Sequence, residues 1–151
     1  MERIFRVVVE RCIACGKCEL ACAFAHGEQG VPGRSRIVID RRGPNVGIPI
    51  VCLQCDDAAC VDVCPVAALC RNELTGAIEV LDERCIRCKM CVAACPFGNM
   101  LWDSAYHRVA KCDLCGGEPR CVPFCPTHAL EYVPADRAGA TPEKVIADST
   151  L

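Results

Sequence analysis

The chain has 151 residues, of which 17 are cysteine, and a formal charge of -2 at pH 7. That cysteine share marks a chain cross-linked by disulfides or built around metal, and it argues against an ordinary globular enzyme. Lys and Arg are scattered among Asp and Glu, which excludes the basic stripe of a nucleic-acid binder.

No charged-then-apolar leader follows Met1-Glu2-Arg3, and no apolar run approaches a membrane span. An odd cysteine count without a secretion signal points to reduced thiols holding metal, and so to a cytoplasmic protein.

In chain order, Ile4 to Val9 is a β-rich run, predicted as a strand entering the first cysteine group, Cys12, Cys15, Cys18 and Cys22. The next segment carries His26, turn-forming Gly27, Gly30, Pro32 and Gly33, and a predicted strand from Arg36 to Ile39. Arg41 to Pro49 reads as a solvated loop available to a partner. The second group, Cys52, Cys55, Cys60 and Cys64, widens one gap. Val66 to Leu69 is expected to bury the odd Cys70, since a free thiol behaves as a small hydrophobe.

Leu74 to Ala77 predicts a turn, and Ile78 to Val80 the second arm of a hairpin. The third group, Cys85, Cys88, Cys91 and Cys95, repeats the first spacing; beyond it, Trp102 is expected to pack a small core. The fourth group, Cys112, Cys115, Cys121 and Cys125, widens again, and Ala129 to Val133 could pair with the N-terminal strand. After Pro134 no apolar period survives, which predicts a tail lying on this chain, lying on a partner or disordered.

The repeated CxxCxxCxxxC spacing, with Pro65, Pro96 and Pro126 following three of the last cysteines, is that of bacterial ferredoxins holding 4Fe-4S clusters. Three closely spaced thiolates wrap one inorganic core and the fourth reaches a paired core, so sixteen cysteines supply four clusters. Zinc needs only two CxxC pairs and leaves the regular third and fourth cysteines without a purpose.

Fully ligated clusters exchange single electrons and offer no open iron to a substrate. No dinucleotide or P-loop pattern accompanies them. Four oxidised clusters bring the formal charge to about -10, so nearby Lys17, Arg84, Arg87, Lys89 and Lys111 either tune potentials or are merely solvated. His26 reads as a hydrogen-bonded loop histidine that could also tune a cluster, ahead of His107 and His128.

Spacing alone leaves two pairings open. Groups one with two and three with four are possible, as is a nested arrangement of one with four around two with three. Pairing of residues 129–133 with the N-terminal strand favours the nested form.

Over residues 3 to 133 the chain resembles the four-cluster ferredoxin-type electron-transfer subunits of molybdenum or tungsten bis-pterin oxidoreductases. Cys12-Ile13-Ala14-Cys15-Gly16-Lys17-Cys18, Cys22, the following His26 and the order of widened groups carry that likeness. It implies an α+β fold of two nested bacterial-ferredoxin-like lobes, each binding two 4Fe-4S clusters. The outer lobe would comprise 1–50 plus 105–133, the inner lobe 51–104 and the tail 134–151.

The resemblance also implies ligand sets. These are Cys12, Cys15, Cys18 and Cys125; Cys112, Cys115, Cys121 and Cys22; Cys52, Cys55, Cys60 and Cys95; and Cys85, Cys88, Cys91 and Cys64. The chain lacks the insertion and extension with which larger relatives meet a membrane anchor. It is most similar to the small subunit of tungsten aldehyde oxidoreductases.

The implied role is a non-catalytic relay between a tungsten or molybdenum bis-pterin subunit and a flavin-containing or ferredoxin-linked partner, with a higher-order assembly as a further expectation. Alternatives are service to a carbon monoxide dehydrogenase, hydrogenase or aromatic-ring reductase, a zinc-binding interaction module, or a small stand-alone reductase.

Overall fold

The computed structural model describes residues 3–135. Four separate two-stranded antiparallel sheets and three short helices alternate along it. Strand β1 (Arg3–Val7) pairs with β8 (Leu130–Pro134), Ile4 lying opposite Val133 and Val7 opposite Leu130. The directly opposed Arg6 and Glu131 form an ion pair at 3.0 Å. The pairing expected between the two ends of the motif region is thus present, and it brings the first and fourth cysteine groups together.

Strands β2 (Val38–Gly43) and β3 (Val46–Ile50) form a hairpin with a bulge between Arg41 and Gly43. The solvated loop expected over Arg41 to Pro49 is therefore largely strand. Pro44 lies in the turn between the strands, whereas Gly47 and Pro49 lie within β3. Ile39, Gly47 and Pro49 alternate inward, and a Cβ at Gly47 would meet Ile39 at 2.6 Å and Ala14 at 3.0 Å. Pro49 is tolerated because a two-stranded ribbon leaves each strand a free edge.

Strands β4 (Leu69–Arg71) and β5 (Ile78–Val80) form the predicted hairpin, where Asn72 Oδ1 accepts the Leu74 N–H at 2.9 Å. Strands β6 (Leu101–Asp103) and β7 (Arg108–Ala110) form another that the sequence reading missed. Each arm is too short to establish an alternating pattern. The turn is held by Asp103 Oδ1, which accepts the Ala105 N–H at 3.0 Å.

Helices α1 (Lys17–Ala25), α2 (Ala59–Asp62) and α3 (Met90–Ala94) start inside the first three cysteine groups. In the fourth group Gly116 and Gly117, both at positive φ, leave only a 3-10 turn, which begins where Asp113 accepts the Cys115 N–H.

Two cores result. One joins Ile37, Ile39, Val51 and Leu130 to Cys18, Cys22 and Cys121; the other joins Ala58, Leu69, Ile78, Met100 and Val109 to Cys91. Full burial of an Ile or Leu contributes about 1.5–3 kcal/mol, so so few large side chains make modest cores. Sulfur fills much of the remaining space. Trp102 packs on the second core, with Lys89 Nζ 4.1 Å from its ring centroid. The architecture is α+β and consistent with a two-lobe ferredoxin-like fold. Most of the tail expected from residue 134 lies outside the described residues.

Candidate metal centre

The same backbone device occurs in every cysteine group. The residue before the second cysteine is left-handed in each: Ala14 at φ 55°, Gln54 at 54°, Arg87 at 61° and Leu114 at 55°. An L-residue pays roughly 1–2 kcal/mol in that region. Four different side chains share it, so the loop imposes the conformation. Turning the chain this way curls successive N–H groups into a concavity suited to negative charge.

The Cys-Pro sequences have a matching role. After Pro65, Pro96 and Pro126, the N–H groups of Ala67, Gly98 and His128 close turns onto the carbonyls of Cys64, Cys95 and Cys125, each at 3.3 Å. Proline presets the turn. The next N–H then donates to the cysteine sulfur: Ala68 to Cys64 at 3.2 Å, Asn99 to Cys95 at 3.4 Å and Ala129 to Cys125 at 3.2 Å. Cys22, which no proline follows, receives its N–H from Arg36 at 3.2 Å. Every fourth cysteine is provided for.

Electrostatics show which thiols are neighbours. Burial raises Cys18 to about 12, with the charges of Cys12 and Cys125 adding to it. Burial also takes Cys112 to about 12, and Cys52 and Cys22 contribute. Cys121 is driven further up by burial and then by Cys112, Cys22 and Cys115. Cys55 and Cys60 rise through burial and the charges of Cys52 and Cys95. Cys91 rises to about 11 through burial, with Cys85 and Cys88 acting the same way.

Cys64, Cys85, Cys88 and Cys91 line one apolar pocket with Leu69 and Val80. Burial also pushes Cys64 and Cys125 upward, but several backbone N–H donors outweigh it and bring both below the ordinary thiol value. Such crowded, desolvated thiols become thiolates together only around a cationic core. With N–H groups aimed at the sulfurs, the donor set fits iron-sulfur clusters, whose one-electron chemistry the loops would house.

His26 Nε2 lies 3.7 Å from Cys115 Sγ and 3.6 Å from Asp113 Oδ1. Burial, then the charge of Arg36, lowers its pKa. These three ligand atoms lie within 4.8 Å of one another, but Cys115 already belongs to the fourth group. His26, read from the sequence as a hydrogen-bonded loop histidine that could also tune a cluster, caps α1 and neighbours a candidate ligand sulfur. Arg36, missed in the sequence, pairs with Asp113 at 2.7 Å.

His107 and His128 occupy left-handed positions at φ 49° and 52°. Cys70 is half-buried on β4 opposite Glu79 and is not the buried thiol expected. Strand alternation gives the inward position to Leu69 and turns its neighbour the other way. Of the five cations singled out in the sequence, Lys17, Arg84, Arg87 and Lys89 are exposed and Lys111 is buried.

Four thiol-rich loops with donors turned onto their sulfurs, mounted on short hairpins, define an iron-sulfur electron carrier of polyferredoxin type. Residues 46–134 match the 4Fe-4S dicluster domain family and residues 9–25 a 4Fe-4S binding domain, and the chain belongs to the dicluster family.

The chain is 40% identical over 125 residues to the aliphatic sulfonate oxidoreductase, polyferredoxin-like subunit, of Pyrococcus furiosus, covering 82% of this chain and 72% of that one. It is 35% identical over 159 aligned positions to the electron transport protein HydN of Escherichia coli, covering 86% and 87%. It is also 38% identical over 126 residues to the beta subunit of NADH-dependent phenylglyoxylate dehydrogenase of Aromatoleum evansii, covering 82% of this chain but 28% of that larger one. Its role is electron relay. Among the described residues no helix is long and apolar enough to cross a membrane.

Proposed function

We propose that the chain relays single electrons through four 4Fe-4S clusters within a cytoplasmic oxidoreductase complex. Cys12, Cys15, Cys18 and Cys125 hold the outer terminal cluster, and Cys22, Cys112, Cys115 and Cys121 its neighbour. Cys52, Cys55, Cys60 and Cys95 hold the adjoining inner cluster, and Cys64, Cys85, Cys88 and Cys91 the inner terminal one. The outer lobe comprises 1–50 and 105–133 and the inner lobe 51–104, with β6 and β7 spanning their boundary.

The observation that carries this reading is the joint action of Cys12 and Cys125 on Cys18 beneath the β1–β8 pairing. It supports a shared site for groups one and four, which leaves groups two and three to each other. Cys121 responds to Cys18, and Cys112 to Cys52, which supports a linear order through the four sets. The exposed cysteines of the sixteen, Cys15 and Cys88, fall in the two terminal sets, as entry and exit require.

The catalytic partner is a tungsten or molybdenum bis-pterin subunit of an aldehyde oxidoreductase, and the other terminus serves a flavin-containing or ferredoxin-linked protein. The sulfonate oxidoreductase subunit supports an oxidoreductase partner. Anoxic purification of the native complex tests both parts. The chain should carry about 16 iron and about 16 acid-labile sulfide, and a pterin-bearing subunit should accompany it. Zinc without sulfide would remove the relay, while a partner lacking pterin would remove only the partner.

A further inference from the structure

Lys111 has an exposure of 3%, and no carboxylate pairs with it among the described residues. Its Nζ donates to Gln54 Oε1 at 2.8 Å and to the Cys112 carbonyl at 2.9 Å. Those two acceptors belong to the second and fourth cysteine loops, so the ammonium sits on the seam between the lobes. Glu79 and Asp82 line the cleft beside it together with Arg36, Arg108 and Asp113, without pairing with Lys111.

An ammonium buried without a counter-charge is costly, and hydrogen bonds to two neutral oxygens offset only part of that cost. Nor are those bonds needed to hold the seam. Gln54 Oε1 also accepts the Ile78 N–H at 2.8 Å, and the Cys112 carbonyl also accepts from Gln54 Nε2 at 2.8 Å. With the lysine removed, both oxygens keep a donor and the two loops stay tied. What the lysine alone supplies is positive charge.

That charge bears on Cys55 and Cys60 from one lobe and on Cys112 from the other. Four thiolates on an oxidised 4Fe-4S core carry a net -2, and reduction deepens it. A cation fixed between two such groups stabilises the reduced form of both. It also finds there the counter-charge that the carboxylates of the described residues do not provide.

We propose that Lys111 is the tuning residue of the inter-lobe crossing, its buried ammonium raising the reduction potentials of the Cys22/Cys112/Cys115/Cys121 and Cys52/Cys55/Cys60/Cys95 sites together. The inference rests on the cluster assignment above. Because the charge is shared, the crossing becomes easier to populate from either side without favouring a direction. One electron is lost on one side and one is gained on the other.

The test is a redox titration of the full chain, purified anoxically and monitored by electron paramagnetic resonance, with iron and sulfide counted first. A wild-type chain without about 16 iron would defeat the cluster assignment before any variant is compared. In an iron-replete Lys111→Met chain, two of the four midpoints should fall by at least tenfold in their reduction equilibrium, about 59 mV for one electron. Lys111→Arg should keep them near wild type.

Four unmoved midpoints in iron-replete Lys111→Met would overturn the proposal. If that variant does not load iron, Gln54→Glu decides, because it sets a negative charge against the ammonium and leaves Lys111 in place. The same two midpoints should fall; if they hold, the lysine is structural and the proposal is wrong.

Discussion

Asp103 Oδ2 accepts the Arg34 N–H at 2.8 Å across 69 residues of sequence, tying the end of β6 to the loop that follows α1. The other oxygen, Oδ1, accepts from Ala105 at 3.0 Å and Tyr106 at 3.3 Å, so one buried carboxylate closes a hairpin and fastens it to a distant loop. Burial pushes this carboxyl upward, but the three N–H donors and the charge of Arg108 outweigh it and hold the pKa below the ordinary value.

Asp103→Ala should therefore destabilise the chain by about 1–3 kcal/mol, because it leaves buried donors unpaired. Asp103→Asn isolates the charge. A depressed folded-state pKa adds stability that is complete above the unfolded pKa and is lost as pH falls through the folded one. The wild-type advantage over Asn should be full above about pH 4 and shrink below it. Melting temperatures of both proteins across acid pH give the answer, and a constant difference would mean that the carboxylate charge is not involved.

Leu130, at 1% exposure, anchors β8 in the core that contains Cys18, Cys22 and Cys121. Leu130→Ala should cost about 2–5 kcal/mol. If the two cores respond separately, bleaching of cluster absorbance on heating should split into an early phase and a wild-type-like phase. A single shifted phase would indicate one cooperative unit.

Cys91 is buried beside Cys85 and Cys88, in the set we propose for the inner terminal cluster. Cys91→Ala should remove about a quarter of the iron and stop transfer through the complex, while the partner's isolated activity persists. Unchanged transfer with the iron lost would contradict a route ending at this site.

Cys70, half-buried, pairs across a ladder with Glu79. Cys70→Ser should keep the full iron and sulfide content, with a stability change below about 0.5 kcal/mol as for a site outside the core. Iron loss in this variant would add a ligand to the count.

Much of this molecule was written locally. A cysteine group is a run of neighbouring candidate ligands, so its spacing alone declares cluster chemistry, and the Cys-Pro steps already contain the turns that aim an N–H at the fourth sulfur of the last three groups. The end strands were legible because both are β-rich and flank the first and last groups. Ile78 to Val80 showed a hairpin because a turn signal precedes it.

Other features depended on what lies opposite. The β2–β3 hairpin was hidden because Gly47 and Pro49 read as turn residues until Ala14 and Ile39 close on Gly47 and Ile39 pairs opposite Pro49, and β6–β7 because three residues carry no period. Nothing in the order of residues separated Lys111 from four other cations or linked Gln54 to Cys112. Burial and the approach of two loops are long-range outcomes of packing, whereas ligand spacing is a property of the chain itself.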